Sequence, residues 1–147
     1  MKTAICYFSE HHGNTLKVLE RLAEEFDIDL IDVRSRVAVH LEMYDAIGFA
    51  SGIYYGRFHE TVTDFARQYL PEGKKVFFVY TCGAPRKGYT DAAAEAAADK
   101  KAEILGEFQC KGFDTFGPFK LIGGIAKNHP NEDDMLAAID FYKSIIN

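Results

Sequence analysis

The sequence is poor in cysteine and positive charge, has no long apolar run and contains no tryptophan. Its three cysteines, Cys6, Cys82 and Cys110, are widely spaced without a Cys-x-x-Cys pair, which argues for reduced thiols and against a disulfide framework or a zinc site. The net charge of −5 disfavours binding to nucleic acid or to an anionic bilayer. No apolar run approaches the roughly 20 residues of a membrane span. The chain enters a strand-like segment with no signal peptide ahead of it, so we expect a cytoplasmic protein.

Strand-like apolar segments alternate along the chain with segments of helical periodicity. A length of 147 residues predicts one domain, residues 1–147. The predicted strands are 3–8, 28–33, 46–51, 76–80 and 107–111, and the predicted helices are 15–26, 62–70, 90–105 and 135–146. This alternation predicts an α/β fold, a parallel sheet with helices on both faces. Such sheets bind ligands at the carboxyl ends of their central strands, which directs attention to the loops after Phe8, Ser51 and Thr81.

The first of these loops, Ser9-Glu10-His11-His12-Gly13-Asn14-Thr15, joins a strand to the N-terminus of a helix. Free backbone N–H groups and the helix dipole favour an anion at such a junction. The loop offers neutral donors and no lysine or arginine, which suits a monophosphate better than a triphosphate with magnesium. Neither the P-loop signature nor the Gly-x-Gly-x-x-Gly of dinucleotide folds is present. Simple helix capping by Asn14 or Thr15 is the alternative interpretation.

The segment Ser51-Gly52-Ile53-Tyr54-Tyr55-Gly56-Arg57-Phe58-His59 is read as a loop that carries three aromatic rings. Aromatic side chains in a glycine-bearing loop at a ligand edge favour stacking on a flat ring, although packing against neighbouring helices is the alternative. The loop from Thr81 to Tyr89 is similar, with small residues first and an aromatic residue farther out. Its Cys82 either touches a ligand or is a small packing residue.

Three segments together resemble the flavodoxin-like family, over essentially the whole chain. Ser9-x-x-x-Gly13-Asn14-Thr15 resembles its phosphate loop, and 50–56 and Thr81-Cys82-Gly83 resemble its two isoalloxazine loops. The resemblance implies a doubly wound five-stranded parallel sheet of order 2-1-3-4-5 with noncovalently bound FMN. It further implies electron transfer between redox partner proteins, a reductase or ferredoxin-type donor and a low-potential acceptor, by a protein expected to be monomeric.

The three loops supply all the candidate cofactor-binding residues, and no catalytic residue or metal ligand is assigned. Because the chain has no tryptophan, a tyrosine must stack on the flavin, either Tyr54 or Tyr55. The candidates are Ser9, Glu10, His11, His12, Gly13, Asn14, Thr15, Ser51, Gly52, Ile53, Tyr54, Tyr55, Gly56, Thr81, Cys82, Gly83 and Tyr89.

The sequence also allows functions other than that of an electron carrier. The segment 50–59 is similar to that of flavin-dependent, quinone-linked protoporphyrinogen dehydrogenases, so an FMN-dependent oxidoreductase with its own substrate is the main alternative, although their long basic insertion is absent. An FMN-binding or cofactor-free interaction module is a third possibility. A receiver domain is excluded because Ser51 stands where its phosphoacceptor aspartate belongs. The segment from Phe113 to Pro130, too apolar for a solvated loop, is read either as a cover for the sheet edge or as a partner surface.

Overall fold

The computed structural model of the chain describes residues 1–10, 13–35, 40–112 and 128–146. Strands and helices alternate along these ranges, as the sequence predicts. The strands are β1 (Thr3–Phe8), β2 (Ile28–Asp32), β3 (Ala46–Tyr54), β4 (Arg57–Phe58), β5 (Lys75–Cys82) and β6 (Glu103–Lys111). The α-helices are α1 (Asn14–Glu25), α2 (Glu60–Tyr69), α3 (Asp91–Asp99) and α4 (Glu132–Ile146), and a short 3-10 helix spans Leu41–Met43.

Five of the strands form a parallel sheet in the order β2-β1-β3-β5-β6. This is the predicted order 2-1-3-4-5, so the predicted fold class is confirmed. The sixth strand, β4, was not predicted and pairs antiparallel with the end of β3 alone. The strand order reverses between β1 and β3, which leaves a crevice at their carboxyl ends.

The core lies on both faces of this sheet. Helices α1 and α4 pack together on one face, and α2 and α3 pack together on the other. Because both faces are covered, the central strands are apolar at nearly every position, and the side chains of Ile5, Cys6, Ile47 and Phe49 are fully buried. No α-helix within the described ranges is long and apolar enough to cross a bilayer.

The predicted helix 90–105 is too long. Helix α3 ends at Asp99, Lys101 has a positive φ of 57°, and β6 begins at Glu103. Alanine-rich sequence favours a helix locally, but the backbone N–H of Glu103 donates to the carbonyl of Lys74 (2.9 Å) and starts the pairing of β6 with β5. Sheet pairing therefore overrides local propensity at this point.

Candidate functional site

The loops that follow β1, β3 and β5 meet at one edge of the sheet. In register, Phe8 lies beside Ser51, and Gly52 lies beside Thr81. Since β3 is flanked by β1 and β5, the residues that follow these three strands are neighbours in space, although the ends of β1 and β5 are 74 positions apart in sequence (Phe8 and Cys82). The three segments predicted to bind a cofactor are therefore brought together.

The segment 51–59 is a β-hairpin, which corrects its prediction as a loop. Strand β3 continues to Tyr54, and Tyr54 pairs with Arg57 and Ile53 with Phe58, so that only Tyr55 and Gly56 form the turn. Both turn residues have positive φ, 52° and 79°, as a two-residue type I′ turn requires. The twist of this turn matches that of the paired strands, so the hairpin is a rigid projection at the sheet edge.

An aromatic cluster supports the base of the hairpin. The His59 ring stacks on Phe8, with ring centres 3.9 Å apart and planes at 15°, and Tyr54 meets both rings edge-on at 5.7 and 5.1 Å. Nδ1 of His59 accepts a hydrogen bond from the backbone N–H of Thr61 and so caps helix α2. Sequence reasoning missed His59, because its ring partner Phe8 lies on another strand.

The two candidate tyrosines differ in exposure. Tyr54 is half-buried in the aromatic cluster, and its ring lies over Gly52, within 3.5 Å of where a Cβ would stand. Tyr55 is 85% exposed at the tip of the turn. A cleft of about 300 Å³ borders the hairpin and is lined by Tyr54, Tyr55, Arg57, Phe58, His59 and Glu60. Of the two rings, that of Tyr55 has a face open to a ligand.

The N-terminus of helix α1 faces the same edge of the sheet. Gly13 precedes the helix in the left-handed conformation (φ 66°), and, its chain neighbours apart, no atom of the described residues lies within 4 Å of where its Cβ would stand. The hydroxyl of Ser9 accepts a hydrogen bond from the N–H of Leu16 (3.2 Å), which leaves its own O–H as a donor. The alternative interpretation, capping by the side chain of Asn14 or Thr15, is not what the structure shows. Gly13 occupies the N-cap position, and the hydroxyl of Ser9 caps the N–H of Leu16 instead.

Buried contacts join the start of α1 to the ends of β5 and β6. The hydroxyls of Thr15 and Thr81 are 2.8 Å apart, and both residues are buried. Gly112 donates its N–H to the carbonyl of Cys82 (3.0 Å), and a Cβ on Gly112 would stand 2.7 Å from Nδ2 of Asn14. The loops after β1 and β5 are thus held to one another as a single unit.

A guanidinium lies beside the first loop even though the loop itself contains no basic residue. Arg34, just after β2, contacts the carboxylates of Asp32 (3.1 Å) and Glu10 (3.3 Å), and its guanidinium lies 4.9 Å from the centre of the Phe8 ring. Although burial opposes ionisation of Asp32, hydrogen bonds from Arg34 lower the pKa of its carboxyl. Arg34 offsets part of the negative charge of Asp32 and Glu10 beside the first loop, which lessens the repulsion of an anion there. Sequence reasoning missed this partner because it comes from a different strand.

The loop after β5 is held by its own side chains. The hydroxyl of Tyr89 donates to the carbonyl of Ala84 (2.8 Å), and the Tyr89 ring meets that of Tyr80 edge-on. Cys82 is buried at the end of β5, with its sulfur 3.7 Å from Oε1 of Gln109. Gly83 is half-buried at the start of the loop.

Of the remaining candidates, Ser51 and Ile53 hold the hairpin in place, and others lie outside the described ranges. Ser51 is fully buried, and its hydroxyl accepts from the N–H of His59 (3.1 Å). Ile53 packs against the core face that carries α2 and α3. The predictions for His11, His12 and 113–127 lie outside the described residues.

Comparison with known proteins agrees with this fold. The family model described as a flavodoxin domain matches residues 4–118. An uncharacterized protein of Methanocaldococcus jannaschii is 42% identical over 148 residues, with 99% of each chain covered.

Solved structures share the fold at low sequence identity. Flavodoxin 2 of Bacillus cereus matches with a TM-score of 0.71 and 19% identity, covering 99% of this chain and 98% of that one. The flavodoxin of Fusobacterium nucleatum, solved bound to flavin mononucleotide, matches with a TM-score of 0.68 and 12% identity, covering 99% and 96%. The family match spans β1, α1, the hairpin and the loop after β5, which together make up the site, and on this basis the chain belongs to the flavodoxin family.

Proposed function

We propose that the whole chain, residues 1–147, is an FMN-binding domain that carries electrons between redox proteins of the cytoplasm. The observation that carries the proposal is that two features lie at the same edge of the sheet. They are an exposed aromatic hairpin and the N-terminus of a helix whose preceding loop contains no lysine. A ligand that spans them needs a flat ring at one end and an anionic group at the other. FMN has both, and the similar flavodoxin of Fusobacterium nucleatum holds it.

The residues present fit FMN in chemistry. A phosphate at the start of α1 would meet the helix dipole, the Ser9 hydroxyl and the backbone at Gly13, whose open left-handed conformation permits close approach. The ring system would lie between the hairpin and the loop from Cys82 to Tyr89, with Tyr55 as the stacking side chain. Bound FMN supplies one- and two-electron chemistry, while the protein orients the ring and limits its contact with water.

The second candidate is an FMN-dependent oxidoreductase of the quinone-linked protoporphyrinogen dehydrogenase type. The cleft of about 300 Å³ beside the hairpin supports it, because Arg57 and two tyrosines offer a cation and aromatic surface to an organic substrate. Reduction of the bound flavin by a small substrate alone would favour this enzyme. Reduction only by a reductase or a ferredoxin-type protein would favour the carrier.

FMN binding is tested by titrating the cofactor-free protein with FMN and following the quenching of flavin fluorescence. We expect saturable binding of one FMN. Tyr55→Ala should weaken this binding about three- to tenfold, because one aromatic stacking contact contributes roughly 0.5–1.5 kcal/mol. Because Tyr55 is 85% exposed, the variant should unfold at the wild-type denaturant concentration.

Tyr69→Ala is the matched control, since Tyr69 is also an exposed tyrosine (43%) but lies at the end of α2. It should bind FMN as the wild type does. Absence of any quenching by the wild-type protein would contradict the proposed cofactor. Equal weakening by both substitutions would contradict the role given to Tyr55.

A further inference from the structure

Exposed cations border the site, although the chain as a whole is acidic. Arg57 lies on β4, Arg86 and Lys87 lie in the loop after β5, and Lys111 ends β6; all four are exposed. None of these four forms an ion pair with a residue of the described ranges. We call them the cationic rim. It contrasts with Arg34, whose charge is already matched by neighbouring carboxylates.

The sheet topology places the rim on one side of the site. Arg57 pairs with Tyr54 on the hairpin, and Lys111 pairs with Cys82 at the end of β5. Strands β3, β5 and β6 are adjacent, so the rim extends from the hairpin across the loop after β5, on the side away from β2.

Among the described residues, three carboxylates lie on this side of the site: Glu107 of β6 accepts a hydrogen bond from the hydroxyl of Thr90 (2.6 Å), and the other two belong to helix starts. Glu60 is the first residue of α2 and Asp91 the first residue of α3, and both are exposed. A carboxylate in the first turn of a helix interacts favourably with the helix dipole, which offsets part of its charge. Among the described residues, the four cations outnumber the three carboxylates on this side of the site, whereas the chain as a whole has a net charge of −5.

We propose that the cationic rim is a docking surface for a redox protein whose surface is acidic around its own redox centre. The inference rests on the proposed function, since it supplies the partner with which a bound FMN would exchange electrons. Electron-transfer complexes have small, transient interfaces in which charge complementarity guides encounter. The hairpin tip lies beside Arg57, so the exposed aromatic side chain of Tyr55 is available to a partner next to the cations of the rim.

The spacing of the rim favours a protein surface over a small anion. Its cations come from β4, from a loop and from β6 instead of converging on one point, which suits an extended acidic face. A small dicarboxylate is the alternative occupant, and the experiments below distinguish it.

Local and global charge predict opposite salt effects, which makes the proposal testable. The net charge of −5 would repel an acidic partner, so that the association rate would rise with salt. The rim would attract the same partner, so that the rate would fall as salt screens the contact. For a basic partner, the net charge predicts an association rate that falls with salt, and the rim predicts a rate that rises with salt.

The first experiment uses the FMN-loaded protein and an acidic [2Fe–2S] ferredoxin in a stopped-flow instrument. One electron passes from the reduced iron–sulfur cluster to oxidised FMN, so the cluster is oxidised and the flavin gains one electron. We expect the bimolecular rate constant to fall about tenfold between low and high ionic strength. With basic ferricytochrome c, which takes one electron from reduced flavin, the rate should not fall with salt. A rate with ferredoxin that rises with salt would overturn the proposal.

Charge reversal locates the effect. Arg86→Glu with Lys87→Glu should lower the ferredoxin rate at low salt about tenfold. Lys75→Glu with Lys143→Glu is the matched control, because it changes the net charge equally while Lys75 starts β5 at the opposite sheet edge and Lys143 lies in the last turn of α4. Equal loss of rate in both double variants would assign the effect to net charge and refute the rim.

A binding measurement separates failure of docking from failure of the proposed cofactor. Oxidised ferredoxin added to the 15N-labelled protein, with and without FMN, should shift the amide signals of 55–57, 86–87 and 111. If succinate at the same carboxylate concentration shifts them equally, the rim is a small-anion site and the proposal is wrong. If FMN does not bind, the proposed function fails, while these shifts still decide whether an acidic protein docks.

Discussion

The contact between Gly112 and Asn14 gives a sharp test of where a phosphate is held. A Cβ built on Gly112 stands 2.7 Å from Nδ2 and 2.9 Å from Cβ and Cγ of Asn14, whereas ordinary contacts begin at 3.4 Å. In Gly112→Ala, Cβ and Cγ of Asn14 must therefore move by about 0.5 Å and its Nδ2 by about 0.7 Å. Asn14 is buried and is the first residue of α1, so the helix N-terminus has to move with it.

This displacement should reduce the affinity for FMN specifically. If a misplacement of 1 Å costs roughly a hundredfold, half of that costs about tenfold, or about 1.4 kcal/mol. Riboflavin, which lacks the phosphate, should lose less than about twofold, since the clash lies at the phosphate end. Titrations of the cofactor-free variant with FMN and with riboflavin, followed by flavin fluorescence, measure both affinities.

Gly48→Ala provides the matched control. A Cβ on Gly48 would stand 2.6 Å from the Phe77 ring, so this variant overpacks the core away from the site and should lose about 1–3 kcal/mol of the free energy of unfolding. While folded, it should bind FMN as the wild type does. Wild-type FMN affinity in Gly112→Ala, or equal losses for FMN and riboflavin, would refute a phosphate site at the start of α1.

Three further predictions concern groups away from the cofactor. Burial raises the pKa of Cys6 and Cys110 to about 12, so at pH 8 neither of these two thiols should react in the native protein with a disulfide reagent that labels both in the unfolded chain; fast native labelling of either would contradict this. Burial and a hydrogen bond to a β2 carboxylate raise the pKa of Tyr44 from 10.0 to about 12. The folded state thus keeps protons that the unfolded chain releases, from the two thiols above about pH 9 and from Tyr44 above about pH 10, so the free energy of unfolding should fall from about pH 9 toward pH 12, and more steeply above pH 10. In denaturant titrations, Tyr44→Phe should lessen that fall, and an unchanged slope would argue against it. Arg21 holds Glu132 through two contacts of 2.8 Å, but the pair is exposed, so Arg21→Ala should lower the denaturation midpoint only slightly at low salt and less still at high salt; a large loss of stability that persists at high salt would be incompatible with a screened pair.

Much of the fold could be predicted because its determinants are local. Strands such as β1 and β5 are apolar on both faces, and α2 shows a clear helical stripe that ends before Pro71. The end of α3 could not be predicted, since the pairing of Glu103 with β5 decides it from outside the segment.

The candidate site was predictable in its loops but not in its contacts. The predicted strand ends indicated the sheet edge at which the three candidate loops meet, and the family resemblance indicated FMN as the cofactor. The hairpin was read as a loop because Tyr-Gly is an uncommon type I′ pair, although Ile53 and Phe58 flank it as a paired strand would require. His59 on Phe8 and Arg34 beside Glu10 depend on side chains that meet only after folding.

The type I′ turn of the hairpin fixes the direction of one peptide group at its tip. Inverting the peptide between Tyr55 and Gly56 would convert the turn to type II′, whose first position is populated almost exclusively by glycine. A tyrosine at that position opposes the inversion, so the Tyr55 carbonyl should keep a single direction.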